Sequence, residues 1–307
     1  FYEAQGWDYP ADNTEVANPR ITVQGGIGTH GELRRLMEDF EVDATGWGSP
    51  FLLVPEATCV DEFTSNVLAG AGEEDLYLSG VSPLGVPFNN VRGSGSEIHT
   101  KELIEKGKPG SKCPKGFLVS NTEFTENPIC TASSEYQLLK INQIEESGLQ
   151  EEKKEQAKEK VLAKTCLCTN LGTGSLIRLE IMKPSYGRQA ICPGPNIAWF
   201  NRGYSLDEMV DHIYGRSESL VPEERPHMFA KEINMYVDYI SELSIIAGDE
   251  GQEWKKLNKM RKNLEKGMDF CLEISSTDAY SDENLESIRK TVEHQRLRLD
   301  EIFSVPA

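Results

Sequence analysis

No stretch of this sequence approaches the roughly 18 consecutive apolar residues that a membrane-spanning helix requires. An excess of positive charge is also lacking, because 32 Lys and Arg residues stand against 50 Asp and Glu residues, for a formal net charge of -18. Such a chain repels nucleic-acid phosphates and anionic lipid. Any anionic ligand must then be bound by local N–H groups and individual Arg or Lys residues. We therefore expect a small-molecule substrate, and neither a nucleic-acid nor a membrane partner.

The start of the chain lacks an initiator Met, a basic segment and the apolar segment of a signal peptide. We therefore expect a fragment of a longer protein, or a subunit, with residues 8–19 as an exposed, turn-rich lead-in. Seven cysteines without a secretion signal favour a reducing compartment, hence a cytoplasmic location. Thiols in that compartment are buried, catalytic or bound to metal.

Familiar hydrolase motifs are missing as well. The sequence contains no His–Ser–Asp arrangement, HExxH motif or Walker pattern. Isolated Asp, Glu and His residues give no reason to choose a general base, so the catalytic residues stay unassigned. His212, beside Asp211, is interpreted as a packed surface histidine rather than a ligand.

Two glycine-rich turns near the start of the chain form the strongest local pattern. Each follows a short predicted strand, at 21–23 and at 42–45. The small residues of the two turns are Gly25, Gly26, Gly28, Gly46, Gly48 and Ser49. Glycine lets the backbone turn sharply and bring its N–H groups close to a ligand, which favours an anion site. A tight connection that binds nothing is the alternative.

A helix is predicted directly after the first turn. Thr29 and Glu32 stand at the spacing of a capping box, and apolar residues follow along one helical face. The order strand, glycine turn, helix, strand, glycine turn is that of a phosphate-binding βαβ unit. We therefore expect the N-terminus of this helix to be aimed at the same anion as the two turns.

These two units resemble the seventh and eighth units of flavin-dependent (β/α)8 barrels, the group that contains glutamate synthase and nitronate monooxygenase. The resemblance covers about residues 20 to 58. In that group the two loops bind the FMN phosphate at the carboxyl ends of the strands. The resemblance therefore implies cofactor-binding roles for Gly25, Gly26, Gly28, Thr29, Gly46, Gly48 and Ser49.

The sequence departs from this group because six further β/α units should precede the pair. The resemblance thus implies the C-terminal part of a (β/α)8-like phosphate-binding barrel, with the preceding barrel segment on the same longer protein or on a partner chain. A long ordered loop is predicted at 80–96. Its Arg92 is a candidate anion clamp, with a structural arginine that binds loop carbonyls as the equal alternative.

Five cysteines between residues 113 and 192 form a second pattern, because several lie beside Pro or Gly. They are Cys113, Cys130, Cys166, Cys168 and Cys192. Thiolates from separate loops are what an iron–sulfur cluster or a structural zinc requires, and some glutamate synthases carry such a cluster. The spacing matches no strict motif, so buried free cysteines are an equal alternative and a disulfide a lesser one. Cys59 and Cys271 are expected to pack as small hydrophobes.

The sequence predicts an α/β fold class with two parts. Residues 1–203 should form an α/β part that carries the glycine and cysteine loops, and residues 204–307 a helical bundle. Three stretches of the second part repeat apolar residues at helical spacing, separated by 248–251 and 275–281. Further strands are predicted at 75–79, 175–182 and 189–192. Further helices are predicted just beyond Pro55 and at 60–68, 133–147 and 149–164.

Three functions from different classes agree with these patterns. The first is a flavin-dependent oxidoreductase, with FMN phosphate at the glycine turns and an iron–sulfur cluster at the cysteines. The second is a transferase or lyase that binds a sugar phosphate or a nucleotide at the same turns. The third is a non-catalytic interaction subunit with a structural zinc, which docks through its helices. The sequence favours the first.

Overall fold

The computed structural model describes residues 2–6, 20–247, 252–277, 280 and 282–304. The lead-in predicted at 8–19 and the separator predicted at 248–251 lie outside these residues. Twelve α-helices are described: α1 (Tyr2–Gln5), α2 (His30–Glu38), α3 (Glu62–Gly70), α4 (Gly95–Glu105), α5 (Ser134–Glu145), α6 (Glu151–Leu162), α7 (Leu167–Asn170), α8 (Thr173–Arg178), α9 (Leu206–Ile213), α10 (Met228–Ala247), α11 (Gln252–Ser275) and α12 (Leu285–Ser304). No helix among the described residues is long and apolar enough to cross a membrane.

The described strands are β1 (Thr22–Gln24), β2 (Ala44–Gly46), β3 (Leu76–Ser79) and β4 (Phe88–Val91). They form two separate two-stranded sheets, a parallel pair β1–β2 and an antiparallel pair β3–β4. The described residues therefore form an α-rich fold with two small sheets and a helical C-terminal region. Within the described ranges the strands do not close into a barrel.

The N-terminal βαβ unit forms as predicted. β1 and β2 are parallel, with Thr22 opposite Ala44 and Gln24 opposite Gly46. α2 connects them and begins at His30, after the N-cap residue Thr29, whose side chain accepts a hydrogen bond from the Glu32 N–H. The carboxyl ends of both strands, and so both glycine turns, lie at one edge of the pair.

Several predictions in the middle of the chain are wrong. Residues 175–182 do not form a strand, since their first half lies in α8. Residues 189–192 do not form one either: the Gln189 carbonyl accepts from the Ser96 N–H of α4, and the Ala190 N–H donates to the Asn170 carbonyl of α7. Backbone groups without a neighbouring strand must find other partners, and a helical turn satisfies them locally. Within the loop predicted at 80–96, residues 88–91 instead form β4, paired with β3, and α4 begins at Gly95.

Around residues 49–70 the helix boundaries differ from those predicted. No helix begins just beyond Pro55; a 3-10 helix, Ser49–Leu53, lies before it, and α3 begins after Asp61, which caps it. Helices α3, α5 and α6 confirm the predictions at 60–68, 133–147 and 149–164, with a shift of one or two residues at each end.

The three long C-terminal helices pack into one bundle with its own core. Nearly every predicted apolar position contributes to it, including Val237, Leu257, Met268, Ile288 and Leu299. The bundle begins at α10, however, because α9 packs elsewhere. Met209 and Ile213 of α9 belong to the N-terminal core, together with Leu53, Leu68 and Phe200.

Candidate functional site

The two glycine turns lie side by side, as the parallel register of β1 and β2 requires. Gly25 and Gly26 have positive φ values of 98° and 75°, a backbone region that glycine adopts without strain. A Cβ on Gly25 or on Gly48 would meet no heavy atom within 4 Å. The surface in front of these two glycines is therefore open to a ligand.

Gly28 and Thr29 face the protein itself. The Gly28 N–H donates to Glu32 Oε2 at 2.7 Å, and a Cβ on Gly28 would overlap the Arg225 guanidinium. The Thr29 hydroxyl caps α2. The negative charge that the N-terminus of α2 attracts is thus supplied by the protein's own Glu32. This differs from the expectation that the helix start is aimed at an external anion.

Glu32 is the centre of a buried polar network that the sequence reading did not identify. Its carboxylate also accepts from the Met228 N–H at 2.7 Å and from Arg225 Nη1 at 2.8 Å. Arg225 in turn donates to the Gly26 carbonyl at 2.6 Å and to Asn196 Oδ1 at 2.8 Å. In the sequence, only its capping-box spacing from Thr29 singled out Glu32. Arg225 comes from a segment almost 200 residues away, for which the sequence gives no signal.

The Cys-Pro-Gly-Pro-Asn segment at 192–196 lies against both glycine turns. The Gly194 N–H donates to Ser49 Oγ at 2.8 Å, and Asn196 Nδ2 donates to the Ile27 carbonyl at 2.7 Å. Ser49 therefore also has a partner within the chain. Arg225, Lys231 and Asn196 border a small cavity of about 10 Å³ beside Gly26, which has no room for a phosphate. Any ligand must bind on the open side of the turns.

His212 is buried rather than on the surface. Its Nδ1 accepts from the Leu220 N–H at 3.1 Å, so Nε2 carries the proton and donates to the Gly28 carbonyl at 3.0 Å. Burial lowers the pKa of this imidazole, although the bond to Gly28 acts in the opposite direction. The neutral ring thus stabilises the first glycine turn by a hydrogen bond from the protein interior.

Arg92 lies on the β3–β4 pair and has partners there. Its guanidinium stacks over the Tyr77 ring at 4.8 Å, and its Nε donates to the Glu74 carbonyl at 3.3 Å. These contacts match the structural role, the alternative to an anion clamp. No described contact joins Arg92 to either glycine turn.

The five cysteines fall into two groups. The Cys192 segment lies near the glycine turns, because the Gly194 N–H donates to Ser49 Oγ. The other four cysteines lie between the end of α4 and the end of α7, with Cys168 inside α7. Among the residues that the structure describes, no three His, Cys, Asp or Glu side chains are arranged so that they could hold a metal ion. Cys271 packs in the bundle core as predicted, whereas Cys59 is exposed, contrary to its prediction as a packed residue.

Comparisons with known proteins return no match: no family model, no curated protein and no solved structure is similar to this chain.

Proposed function

We propose that this chain supplies the FMN-phosphate loops of a flavin-dependent oxidoreductase, as a fragment or a subunit of it. The observation that supports this is the position of the two glycine turns, side by side at the carboxyl edge of a parallel strand pair. That edge is where α/β proteins bind phosphorylated cofactors. When bound, FMN would supply electron transfer. The described cysteines are not arranged to hold the iron–sulfur cluster that the sequence suggested beside it.

The residues that would hold the phosphate are Gly25, Gly26, Gly46, Gly48 and Ser49. The open space in front of Gly25 and Gly48 favours close approach of an oxyanion to the backbone. Arg225 and Lys231 lie near Gly26, but each is paired with a carboxylate of the chain, Glu32 and Glu73. The backbone N–H groups of the turns would therefore carry the binding of an anion. Gly28 and Thr29 act indirectly, because they hold the turn and α2 in place.

The parallel pair also supports the proposal that further strands complete the sheet. Parallel strands are normally covered on both faces and belong to larger sheets. Here Thr22 and Gln24 of β1 and Ala44 of β2 are exposed. We propose that the remaining strands of a (β/α)8-like barrel come from a preceding segment of the same longer protein or from a partner chain.

The replacement Gly48→Leu tests the phosphate site. Gly48 has an ordinary negative φ of -106° and open space around a Cβ, so a side chain there should be tolerated by the fold but should occupy the place of the phosphate. We expect the Kd for FMN, measured by flavin fluorescence, to rise at least about tenfold, which equals about 1.4 kcal/mol. The control is Gly70→Leu, at an equally open position on α3.

The outcome with the parent protein separates the candidate functions. Binding of FMN that Gly48→Leu weakens and Gly70→Leu does not would support the proposal. Stabilisation by inorganic phosphate or ribose 5-phosphate, without FMN binding, would instead favour the transferase or lyase. The interaction subunit would be favoured if the parent protein bound neither FMN nor phosphate nor ribose 5-phosphate and formed oligomers through its helices.

A further inference from the structure

A cavity of about 490 Å³ lies beside the β3–β4 pair, and none of the described glycine-turn residues borders it. Its floor is one face of that pair, because Tyr77 stands opposite Asn90 and Ser79 opposite Phe88. α4 and the end of α6 form its walls. The volume is within the range of about 300 to 1,000 Å³ that is usual for small-molecule sites.

Hydrogen bonds between distant segments fix one wall of this cavity. Lys164, just after α6, donates from Nζ to the Gly80 carbonyl at 2.5 Å and to the Ser82 carbonyl at 2.9 Å. The Thr165 N–H donates to the Val81 carbonyl at 3.1 Å. The segment after α6 is therefore held against the loop after β3. The wall is in place before any ligand binds, as is usual for small-molecule sites.

Three hydroxyl groups at the border of the cavity have hydrogen-bonding capacity left over. Thr165 is 7% exposed, and its hydroxyl has no partner among the described residues. Ser96 Oγ accepts from Asn170 Nδ2 at 3.1 Å, and Tyr77 Oη accepts from Asn90 Nδ2 at 3.2 Å. Neither of these O–H groups has an acceptor within the described part of the chain. Because nearly buried hydroxyls are normally paired, the arrangement favours a ligand that brings hydrogen-bond acceptors.

The charges at the border do not favour an anion. Lys101 Nζ lies 2.6 Å from Glu97 Oε1, so its charge is paired. Glu159 also borders the cavity, and within the described ranges it has no ion pair. The other bordering side chains are mainly apolar, among them Val81, Phe88, Ile104, Leu162 and Leu167. Burying a charged ligand among them would cost far more than burying a neutral one.

We propose that this cavity binds a neutral, largely apolar small molecule that carries a carbonyl acceptor, such as an aromatic ketone. Its apolar body would cover Phe88, Ile104 and Leu162, and its carbonyl oxygen would accept from a bordering hydroxyl such as that of Thr165. This site shares no residue with the glycine turns, so the proposal does not depend on flavin binding.

The probe for this site is Prodan, a neutral dimethylamino-naphthalene ketone whose fluorescence responds to the polarity of its surroundings. The full chain should bind it saturably, one to one, with a Kd of about 100 μM or below, as expected for a molecule of this size. The analogue with a methylene in place of the carbonyl should bind at least about threefold more weakly. The matching dimethylamino-naphthoate, which is an anion, should bind at least about tenfold more weakly.

Two threonine replacements test the hydrogen bond. Thr165→Val removes a hydroxyl that is unpaired in the chain, so it should leave the fold intact and raise the Kd for Prodan at least about threefold. Thr100→Val is the matched control. Thr100 borders the same cavity, but its hydroxyl already donates to the Ser96 carbonyl at 2.8 Å. Its replacement should change the Kd less than about twofold.

A glycine replacement tests the location. Gly80 is exposed at the border of the cavity, and a Cβ there would meet no heavy atom within 4 Å. Gly80→Leu should therefore be tolerated by the fold, narrow the cavity and raise the Kd for Prodan at least about tenfold. Gly70→Leu, at an equally open position on α3, should leave the Kd unchanged. Far-UV circular dichroism checks the fold of each variant.

Three results would overturn the proposal. The first is a folded parent that does not bind Prodan saturably. The second is a Gly80→Leu protein that binds Prodan as the parent does, which would place the probe elsewhere. The third is an equal effect of Thr165→Val and Thr100→Val. FMN is titrated separately into the same parent protein, so the result for the flavin function stands apart from the result for this cavity.

Discussion

Arg225 connects the first glycine turn, Glu32 and Asn196, and its side chain is almost completely buried. Glu32 is 1% exposed, so its charge depends on this partner and on two backbone N–H groups. A buried ion pair of this kind adds little net stability over an apolar pair. The loss of one partner is costly, because it leaves the other charge without compensation.

The replacement Arg225→Met should therefore destabilise the protein by about 3–5 kcal/mol. The measurement is the free energy of unfolding from denaturant titration. Arg202→Met serves as the control, since Arg202 pairs with Glu208 on the surface at 2.8 Å and should contribute under about 1 kcal/mol. Equal losses for the two variants would contradict a central role for the Arg225–Glu32 pair.

Because His212 is a buried imidazole, we expect the stability of the protein to depend on pH. Its pKa is lowered in the folded state, first by burial, so the unfolded chain binds a proton more readily. Stability should then be constant above about pH 7 and fall as the pH decreases through about 6.5, by at most about 1.4 kcal/mol per pH unit for one proton.

The check is the melting temperature between pH 7.5 and pH 5.5 for the parent and for His212→Gln. The variant should show a smaller decrease than the parent over this range. Part of the dependence should remain, because burial also lowers the pKa of His99. His294→Gln, at an exposed position, should keep the parental slope. An unchanged slope in His212→Gln would mean that another group causes the effect.

At the scale of elements, the three C-terminal helices depend on a continuous apolar core. Ile288 of α12 is fully buried there, packed with residues such as Val237 and Leu299. Ile288→Ala removes buried methyl groups and leaves a cavity, so we expect a loss of about 2–5 kcal/mol in the free energy of unfolding. Leu297→Ala, on the exposed side of α12, should change it by less than about 0.5 kcal/mol.

α9 shows that a helix can carry a clear start signal in the sequence and still be assigned to the wrong part. Ser205 and Glu208 form a capping box, with the Ser205 N–H donating to the Glu208 carboxylate at 2.8 Å. The helix nevertheless packs under the glycine turns, through Met209 and His212. A capping pattern determines where a helix begins, but it carries no information about the partner of its apolar face.

At the scale of the whole molecule, buried charges join the βαβ unit to the bundle. Arg35 of α2 donates to Glu283 just before α12 at 2.7 Å, and His227 Nε2 lies 3.1 Å from the same carboxylate. Burial alone would raise the pKa of Glu283, but the bonds from His227 and Arg35 outweigh it and hold the pKa below its usual value. Glu283 thus stays ionised and binds the two parts together.

Glu283→Gln keeps the shape of the side chain and removes its charge. We expect a loss of about 3 kcal/mol or more, because Arg35 and His227 lose their buried partner. A double-mutant cycle with Arg35→Met should give a coupling energy above about 1 kcal/mol, since the groups are in direct contact. Lys290→Met, which breaks an exposed pair with Glu286 on α12, is the control. Additive losses for Glu283→Gln and Arg35→Met would exclude the coupling.

The sequence by itself determined those features that depend on neighbouring residues. Helical apolar periodicity located the bundle helices, and the glycine turns with the Thr29 cap located the βαβ unit, because capping and periodicity act within a few residues. The failures at 175–182 and 189–192 have the opposite cause. A strand exists only where a second strand is available to pair with it, and sequence spacing does not reveal that.

Only the tertiary structure decided which distant residues meet. It placed Arg225 and Glu32 at Gly28, where the sequence suggested a ligand, and it placed the Cys192 segment against Ser49 of the second glycine turn. Such contacts join segments many tens of residues apart. They depend on how complete elements pack and on the requirement that buried charges find partners, and neither is set by the residues next to each group.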